Sequence, residues 1–550
     1  MMLRGHKVRV GLLLGLCALV YVCVLARLFW VQVMRQDFFS TLATQQYVVG
    51  AIGSNPRGEI FDRYGHSLVL NKEVQSAFIL PHSATDRDEL LNFLHVHYPN
   101  VLQRIIQHPE KYFFWLERRL TAERYTWLKE QKLSAIQFAS ESVRYYPHPE
   151  LAHVLGFTDI DNRGIAGLEL SLDKKLAGEA SRYRMAKDAR AKRYYFERTT
   201  EKEGVSSNSV HLTLDHKLQF LIYEDLAQTV EHFKALQGAA MVLNPFTGEI
   251  LSMVTYPSFD PNAAMPADLA LTKNVAVTEC YEVGSVMKTF AALAGLAEGV
   301  VKFDEEIDCG GAVSYLQGLR IEHRSTKPLG KLPFHEAVRK SSNLALAKMG
   351  LRLGSKLYDH LSRVGFGRKT HLGFPGERPG FINPPHNWSR FSVMVMTFGY
   401  EVTVTLLQIA RAMAIIANGG YYIEPFIMRD EKSSLSTNKL TEPPLYSSQN
   451  LEEIVSILEK VGERFSVPGF KLKGKTGTAR MVVDGHYSAK KHLYTFAGFV
   501  EKDHYRRVVV SFIKEPEKAN LWASEVTAPL AQKIAERLAI HDFNKEVHAQ

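Results

Sequence analysis

The chain has 550 residues, too many for one ordinary core, so two or three domains are expected. Hydrophobic residues make up 46% and charged residues 23%, a composition that excludes a disordered chain. The net charge of +9 suits an anionic membrane surface or a phosphate-bearing lipid substrate, and no basic-aromatic motif supports nucleic-acid binding.

Arg4, Lys7 and Arg9 precede an uncharged run from Val10 to Ala26, and Leu28 to Val33 extends it past Arg27. This is long enough to cross a bilayer if Arg27 reaches back to the interface. Phe29 and Trp30 fall where an aromatic belt lies. A cleaved signal peptide is the alternative, but no small-x-small cleavage pattern follows the apolar run. An uncleaved anchor over 10–33 is therefore expected, with residues 1–9 in the cytoplasm and the rest outside. Cys17 and Cys23 lie within the anchor. Cys280 and Cys309 are expected as free thiols, with a disulfide as the alternative in an oxidising compartment.

From Pro56 to Gly65 the pattern predicts a strand and a turn over Asp62 to Gly65, followed by the apolar strand Ser67 to Leu70. Asp88 to His97 and Leu120 to Lys132 have helix-compatible apolar spacing. Lys174 to Glu203 is dense in Lys, Arg and Glu and predicts a solvated hairpin or linker, with a patch for a partner or lipid phosphate as the alternative. A new domain begins near Gly238, where Ala239 to Leu243 and Glu249 to Val254 flank the hairpin signal Asn244-Pro245-Phe246-Thr247-Gly248. Helical periodicity follows over Ser285 to Ala297, Pro333 to Leu353 and Val404 to Ala417. Strand character returns at Lys471 to Val483, Tyr494 to Val500 and Arg507 to Ile513, before a last helix over about Ala528 to Ala539. Strands at both ends of this segment imply one sheet built from distant parts of the chain, with helices on its faces.

Three short motifs in that segment carry chemistry. Ser285-Val286-Met287-Lys288 puts a hydroxyl and an amine about one helical turn apart. Lys288 can act as the base that a serine nucleophile needs if burial and nearby positive charge lower its pKa. Gly284 suits a helix entry, whose unpaired N–H groups can stabilise an oxyanion. In Ser341-Ser342-Asn343, Ser341 is a candidate proton relay towards the leaving amine, and Asn343 a candidate to hold Lys288 and the substrate backbone. Lys475-Thr476-Gly477-Thr478 heads a strand where a peptide can lie alongside, with Lys475 supplying positive potential and Thr476 and Thr478 able to bind a carboxylate. Each motif alone is commonplace in a helix start, a turn or a strand edge; their order and spacing together are not.

This set resembles the transpeptidase domain of penicillin-binding proteins. The resemblance extends through Asn244 to Leu251, Tyr281 to Ser285, Ala417-Asn418-Gly419-Gly420 and Gly474 to Ala479. Upstream, Arg57 to Arg63, Arg144-Tyr145-Tyr146-Pro147, His153-Val154-Leu155-Gly156 and Gly164 to Glu169 are similar to the pedestal signature of the class B enzymes. The resemblance implies an α+β protein with a transmembrane helix, an elongated pedestal (dimerisation-like) domain over 34–236, a transpeptidase domain over 237–540 and a tail over 541–550. In that transpeptidase domain a central antiparallel sheet is flanked by helices. It further implies a serine D,D-transpeptidase that cross-links peptidoglycan stem peptides, with Ser285, Lys288, Ser341 and Asn343 catalytic and Lys475, Thr476, Gly477 and Thr478 binding substrate. The N–H groups of Ser285 and Thr478 would form the oxyanion hole, and β-lactams would acylate Ser285. No cofactor or metal is implied; His95 and His97 lack a ligand pattern and the other histidines are scattered.

With no segment like a glycosyltransferase domain, lipid-linked precursor strands would be polymerised by a SEDS-type membrane partner. Asn343 and the run from Tyr281 to Gly380 look more like the division-specific septal subfamily than the elongation-specific one, so other division proteins are implied partners. A serine β-lactamase, a β-lactam sensor and a non-catalytic scaffold are the competing readings. The chain departs from the family at Val283, where Pro is usual, at Val286, where a small hydroxyl residue is common, and at Gly399-Tyr400-Glu401, where Gly-Gln-Gly is common.

Overall fold

The computed structural model describes residues 2–39, 48–52, 56–111, 113–179, 182–187, 194–202, 207–263, 268–322, 328–429, 443–518 and 521–543. It divides into two compact units.

The first unit comprises Met1–Pro56 and Ala177–Ser207. Its helix α1, Met2–Phe29, passes directly into a π-turn over Trp30–Met34. Among the described residues, Val8–Met34 is the one helical stretch long and apolar enough to span a bilayer, with mean hydropathy 2.5 and no burial. The Arg27 guanidinium lies 4.4 Å from the centre of the Trp30 ring and that of Arg35 5.2 Å away. The expected snorkelling cation thus has an aromatic partner at the helix end. The side chains of Arg4 and Lys7 lie outside the described set. Three antiparallel strands, Val48–Ile52, Arg182–Lys187 and Tyr194–Lys202, complete this unit in that order. The expected hairpin in the charged stretch is therefore present, although 180–181, 188–193 and 203 fall outside the described residues.

The second unit, Arg57–Leu176 with Asn208–Gln550, holds two main sheets. Strand β1, Ile60–Phe61, pairs with the long β2, Ser67–Ile79, after the predicted turn at Asp62 to Gly65. On β2 lie β3, Phe114–Glu117, and β4, Ile136–Tyr145. The helices here are α2, Arg87–His97, α3, Pro99–Gln107, and α4, Ala122–Glu130, whose N-terminus is capped by Thr121 Oγ1 accepting from Arg124 N. Strand β5, Val210–Leu212, runs parallel to β1.

Between these elements, the motif residues of the first half meet in one buried knot. Glu169 is fully buried and accepts from Arg57 Nε at 2.6 Å and Arg144 Nε at 2.8 Å, and Arg57 also reaches Asp173 at 2.7 Å. Both arginines are almost completely buried. Two guanidinium groups taken from water need such carboxylate partners, because an unpaired buried charge is costly.

Helix α5, His216–His232, starts at Asp215, whose side chain accepts from Lys217 N and Leu218 N. The hairpin β6, Gln237–Leu243, and β7, Ile250–Tyr256, follows as expected. After helices α6, Met287–Ala297, α7, Phe334–Arg339, α8, Asn343–Leu353, and α9, Leu406–Ala417, the short β8, Met428–Arg429, returns to pair with β5. Helix α10, Ser448–Gly462, precedes β9, Lys471–Val483, β10, His486–Lys502, and β11, Tyr505–Lys514, and helix α11, Ala523–Arg537, follows them.

The central sheet has the order β7-β6-β11-β10-β9 and is antiparallel throughout. Both of its faces are buried. Ala239, Met241 and Leu243 of β6 point into one apolar cluster with α6 and α9, while Ala240 and Val242 point into another with α5 and α11. This is why these strands read as unbroken apolar runs instead of alternating ones. At β9 the sheet ends, leaving that edge to the active-site side.

Two expectations need correction. The continuous helix over Pro333 to Leu353 is broken into α7 and α8, with Ser341 between them at φ +61°. The final helix starts at Ala523 and carries Pro529 inside it. Cys280 and Cys309 are free thiols.

Removing the carboxylate of the buried knot is the sharpest stability test. Glu169→Ala leaves the buried Arg144 guanidinium without its carboxylate and Arg57 with Asp173 alone, and is expected to cost about 3–5 kcal/mol. Urea unfolding of the full chain measures it; a loss under about 1 kcal/mol would mean the knot is no better than a surface pair.

Candidate active site

Gly284–Val286 forms a single 3-10 turn that enters α6, so Ser285 sits at the mouth of a helix and Lys288 on its first turn. Three glycines let the backbone pack closely around this turn. A Cβ on Gly284 would strike Thr478 O, one on Gly477 would strike Val283 O, and one on Gly399 would strike Gly284 O. Strand β9 and the 399–401 loop are thereby brought against the nucleophile from two sides.

The second motif divides its labour. Ser342 is the N-cap of α8, its Oγ accepting from Ala345 N at 3.2 Å. Capping needs an extended residue at that position, and the left-handed Ser341 before it turns both its carbonyl and its hydroxyl inward. Lys288 Nζ donates to Ser341 O at 2.6 Å and to Ser341 Oγ at 2.9 Å. Ser341 Oγ lies 3.0 Å from Ser285 Oγ and 3.3 Å from Lys475 Nζ. One hydroxyl thus joins the nucleophile to both lysines. Asn343 does not reach Lys288 here; its Nδ2 donates to Glu322 O at 2.9 Å.

Lys288 and Lys475 are 1% and 4% exposed. Among the described residues, neither has a carboxylate within salt-bridge distance. Burial, helped by the positive charge of Lys475, holds Lys288 well below the ordinary lysine pKa. Burial alone brings Lys475 down to about 8. Of the pair, Lys288 is therefore the readier to give up its proton, with both burial and the Lys475 charge acting against its cation. Ser341 Oγ accepts from Lys288 and Lys475 and donates to Ser285 Oγ, which uses its two lone pairs and one hydrogen.

These groups open onto a cleft of about 1410 Å³ lined by Ser285, Lys288, Ser341, Asn343, Lys475, Thr476 and Thr478. All the predicted site residues except Gly477 line it, and Gly477 lies beneath as the spacer described above. The cleft is also lined by Arg320, Lys340 and Arg480 against Glu322 and Glu401, an excess of positive charge suited to a peptide ending in a carboxylate. Edge strand β9 offers open backbone groups to an extended peptide.

Residues 238–536 match the penicillin binding protein transpeptidase domain, and residues 53–212 match the penicillin-binding protein dimerisation domain. The chain is a class B penicillin-binding protein. It is 31% identical over 540 residues to the probable peptidoglycan D,D-transpeptidase PenA of Neisseria gonorrhoeae, covering 96% of this chain and 91% of that protein. It is 29% identical to the peptidoglycan D,D-transpeptidase FtsI of Escherichia coli K12, covering 95% and 90%. Stage V sporulation protein D of Bacillus subtilis is equally similar at 29%, covering 94% and 83%. The solved structure of penicillin-binding protein 3 from Mycobacterium tuberculosis superposes with TM-score 0.66 at 25% identity, covering 90% of this chain and 97% of that one. As a class B penicillin-binding protein the chain is a penicillin-sensitive peptidoglycan D,D-transpeptidase, and its apolar N-terminal helix fits a single membrane anchor.

One wall of this transpeptidase's cleft was not legible beforehand. Glu401 occupies a left-handed conformation, φ +57°, where the family often has glycine, and its N–H donates to Glu282 Oε1 at 2.9 Å. Tyr487, from the β9–β10 hairpin, donates its hydroxyl to the same oxygen at 3.0 Å. Its ring meets Tyr400 edge to face at 5.2 Å. Glu401 Oε2 is held by Asn383 Nδ2 at 2.6 Å. Burial raises the pKa of Glu282. The departure at Tyr400 and Glu401 is therefore part of a bonded wall and not a loose solvent loop.

Two measurements follow. The second-order rate of β-lactam acylation is expected to rise as Lys288 deprotonates and to fall above about pH 8 as Lys475 loses its charge; Lys475→Arg should move the alkaline fall upwards, because guanidinium keeps its proton. Glu401→Gly frees the wall and is expected to speed acylation by up to roughly tenfold, about 1.4 kcal/mol in barrier; an unchanged rate would remove this wall from control of access.

Proposed function

We propose that the protein cross-links septal peptidoglycan through an acyl-enzyme on Ser285. The observation that carries the catalytic reading is the Ser341 hydroxyl, hydrogen-bonded at once to Ser285, Lys288 and Lys475. In the proposed reaction, Ser285 Oγ attacks the carbonyl between the two terminal D-alanines of a stem peptide. Its proton passes to Ser341 as Ser341 gives its own to Lys288, once that amine has lost its proton. The oxyanion is held by the N–H groups of Ser285 and Thr478. Collapse expels the last D-alanine, whose amine takes the proton back from Lys288 through Ser341. The amine of a neighbouring stem peptide then attacks the ester by the same path in reverse and frees Ser285.

Lys475, Thr476 and Thr478 bind the terminal carboxylate, and Gly477 keeps β9 close enough for them to do so. Asn343 contacts the substrate backbone from the opposite wall, after release from Glu322. β-Lactams acylate Ser285 as mimics of the D-alanyl-D-alanine end.

The septal assignment is supported by Asn343 as the third residue of its motif and by the run from Tyr281 to Gly380, both similar to the division-specific subfamily. A relative named for sporulation at the same identity as one named FtsI makes experiment the arbiter between cellular roles. On this reading the pedestal occupies 34–236 and the catalytic domain 237–540, with the N-terminus in the cytoplasm and the catalytic domain outside the inner membrane at the septum. Lipid-linked strands are polymerised by a SEDS-type glycosyltransferase partner, within an assembly of division proteins.

Fluorescent penicillin on membranes tests the chemistry: a stable label that vanishes in Ser285→Ala is expected. Rapid loss of label would indicate a β-lactamase, and no label in either would indicate a scaffold. Depletion tests the role, with filamentous cells expected and rounded cells assigning the protein to elongation.

A further inference from the structure

Away from the cleft, a buried carboxylate has two imidazoles converging on it. Asp62 has no exposed surface, and its Oδ1 accepts from the N–H groups of Tyr64 and His66 at 2.8 and 2.9 Å. Its Oδ2 faces His216 Nδ1 at 2.6 Å and His66 Nδ1 at 3.1 Å. The three ligand-type atoms all lie within 4.8 Å of one another. We propose that Asp62, His66 and His216 bind one zinc ion that ties the turn after β1 to the head of α5.

Donor chemistry and geometry both favour this metal. Two imidazole nitrogens with one carboxylate oxygen suit zinc, whereas magnesium and calcium prefer all-oxygen sets. Zinc bonds of about 2.0–2.2 Å in a tetrahedral arrangement place neighbouring ligand atoms about 3.3–3.5 Å apart. The Asp62–His66 separation is nearly there, and the Asp62–His216 one needs only a small opening. His66 is 55% exposed in its side chain, so its ring has room to turn, while His216 is 16% exposed and is held beside it. A neutral imidazole can carry its proton on Nε2 instead, which frees Nδ1 for the metal without expelling a proton. The two backbone N–H groups already orient the carboxylate, the kind of outer support that metal ligands use. Exposure of His66 leaves the fourth position to water.

Two of the ligands sit four apart in one turn, but His216 stands 154 residues beyond Asp62, so the scattered histidines of the sequence gather only in the fold. The ion would be structural: Asp62 follows β1, and α5 packs on the central sheet through Leu218, Ile222 and Leu226.

The test uses the untagged full chain in detergent, stripped with a chelator and then dialysed against micromolar zinc. One equivalent is expected in the wild type and none in His66→Asn/His216→Asn, with magnesium bound by neither. Zinc should raise the unfolding temperature of the wild type alone, and cobalt should give a tetrahedral visible spectrum. Penicillin labelling of Ser285 should be unchanged in the variant, which certifies its fold; if the double variant fails to label, the exposed single variant His66→Asn takes its place. No zinc in the wild type, or equal zinc in wild type and variant, overturns the proposal and leaves Asp62 as a hydrogen-bonded turn residue.

Discussion

The site depends on two buried lysines that share one hydroxyl and, among the described residues, have no carboxylate partner. Water would solvate both ammonium groups, and a nearby acid would hold both protonated. Burial without either influence lowers the pKa of both lysines, and the charge of Lys475 lowers that of Lys288 further. The geometry around Ser341 exists to keep that balance: a helix break that points its carbonyl at Lys288, a cap at Ser342 that fixes the break, and three glycines that let β9 approach. A site built this way needs no imported base or metal ion for the proton transfers proposed for it.

The rest of the second unit serves rigidity. The central sheet is buried on both faces, and the Glu169 knot locks segments that lie far apart in sequence. Buried ion pairs are poor sources of net stability, yet breaking one is severe. Such a knot therefore acts mainly as a selector of one arrangement, since any packing that parts Arg144 from Glu169 leaves a buried guanidinium without its carboxylate.

Much of this was legible in the sequence because it obeys local rules. The anchor showed as an uncharged run, β9 as a strand beginning at Lys471, and the β6–β7 hairpin by its turn residues. The three motifs were legible as a set, and the cleft gathers their residues. The break at Ser341 was legible only in part: Ser341-Ser342-Asn343 reads alone as a turn or cap, but the apolar spacing on either side, over Pro333 to Leu353, reads as helix. Helices α5 and α10 carried adequate signals, with Leu218, Ile222 and Leu226 in one and Leu451, Ile454 and Leu458 in the other, but lay outside the expected set. Tertiary pairings were out of reach. Nothing local joins Glu282 to Tyr487, 205 residues apart, or Arg57 to Glu169. Asn343 shows the other limit, because a motif fixes which residue is present and not which partner it holds.

One feature bears on how the molecule is made. The sheet begun by Ile60 and Phe61 receives its edge strand from Met428 and Arg429, and the central sheet begun by β6 and β7 is filled in by β11. A polypeptide emerging N-terminus first therefore carries both sheets with open edges until its last third has been synthesised. Such late closure favours slow, all-at-once maturation over stepwise folding. It makes the growing chain a natural client for holding factors that shield strand edges, and it means a prematurely ended product is left with sticky, unfinished sheets instead of a usable half-protein.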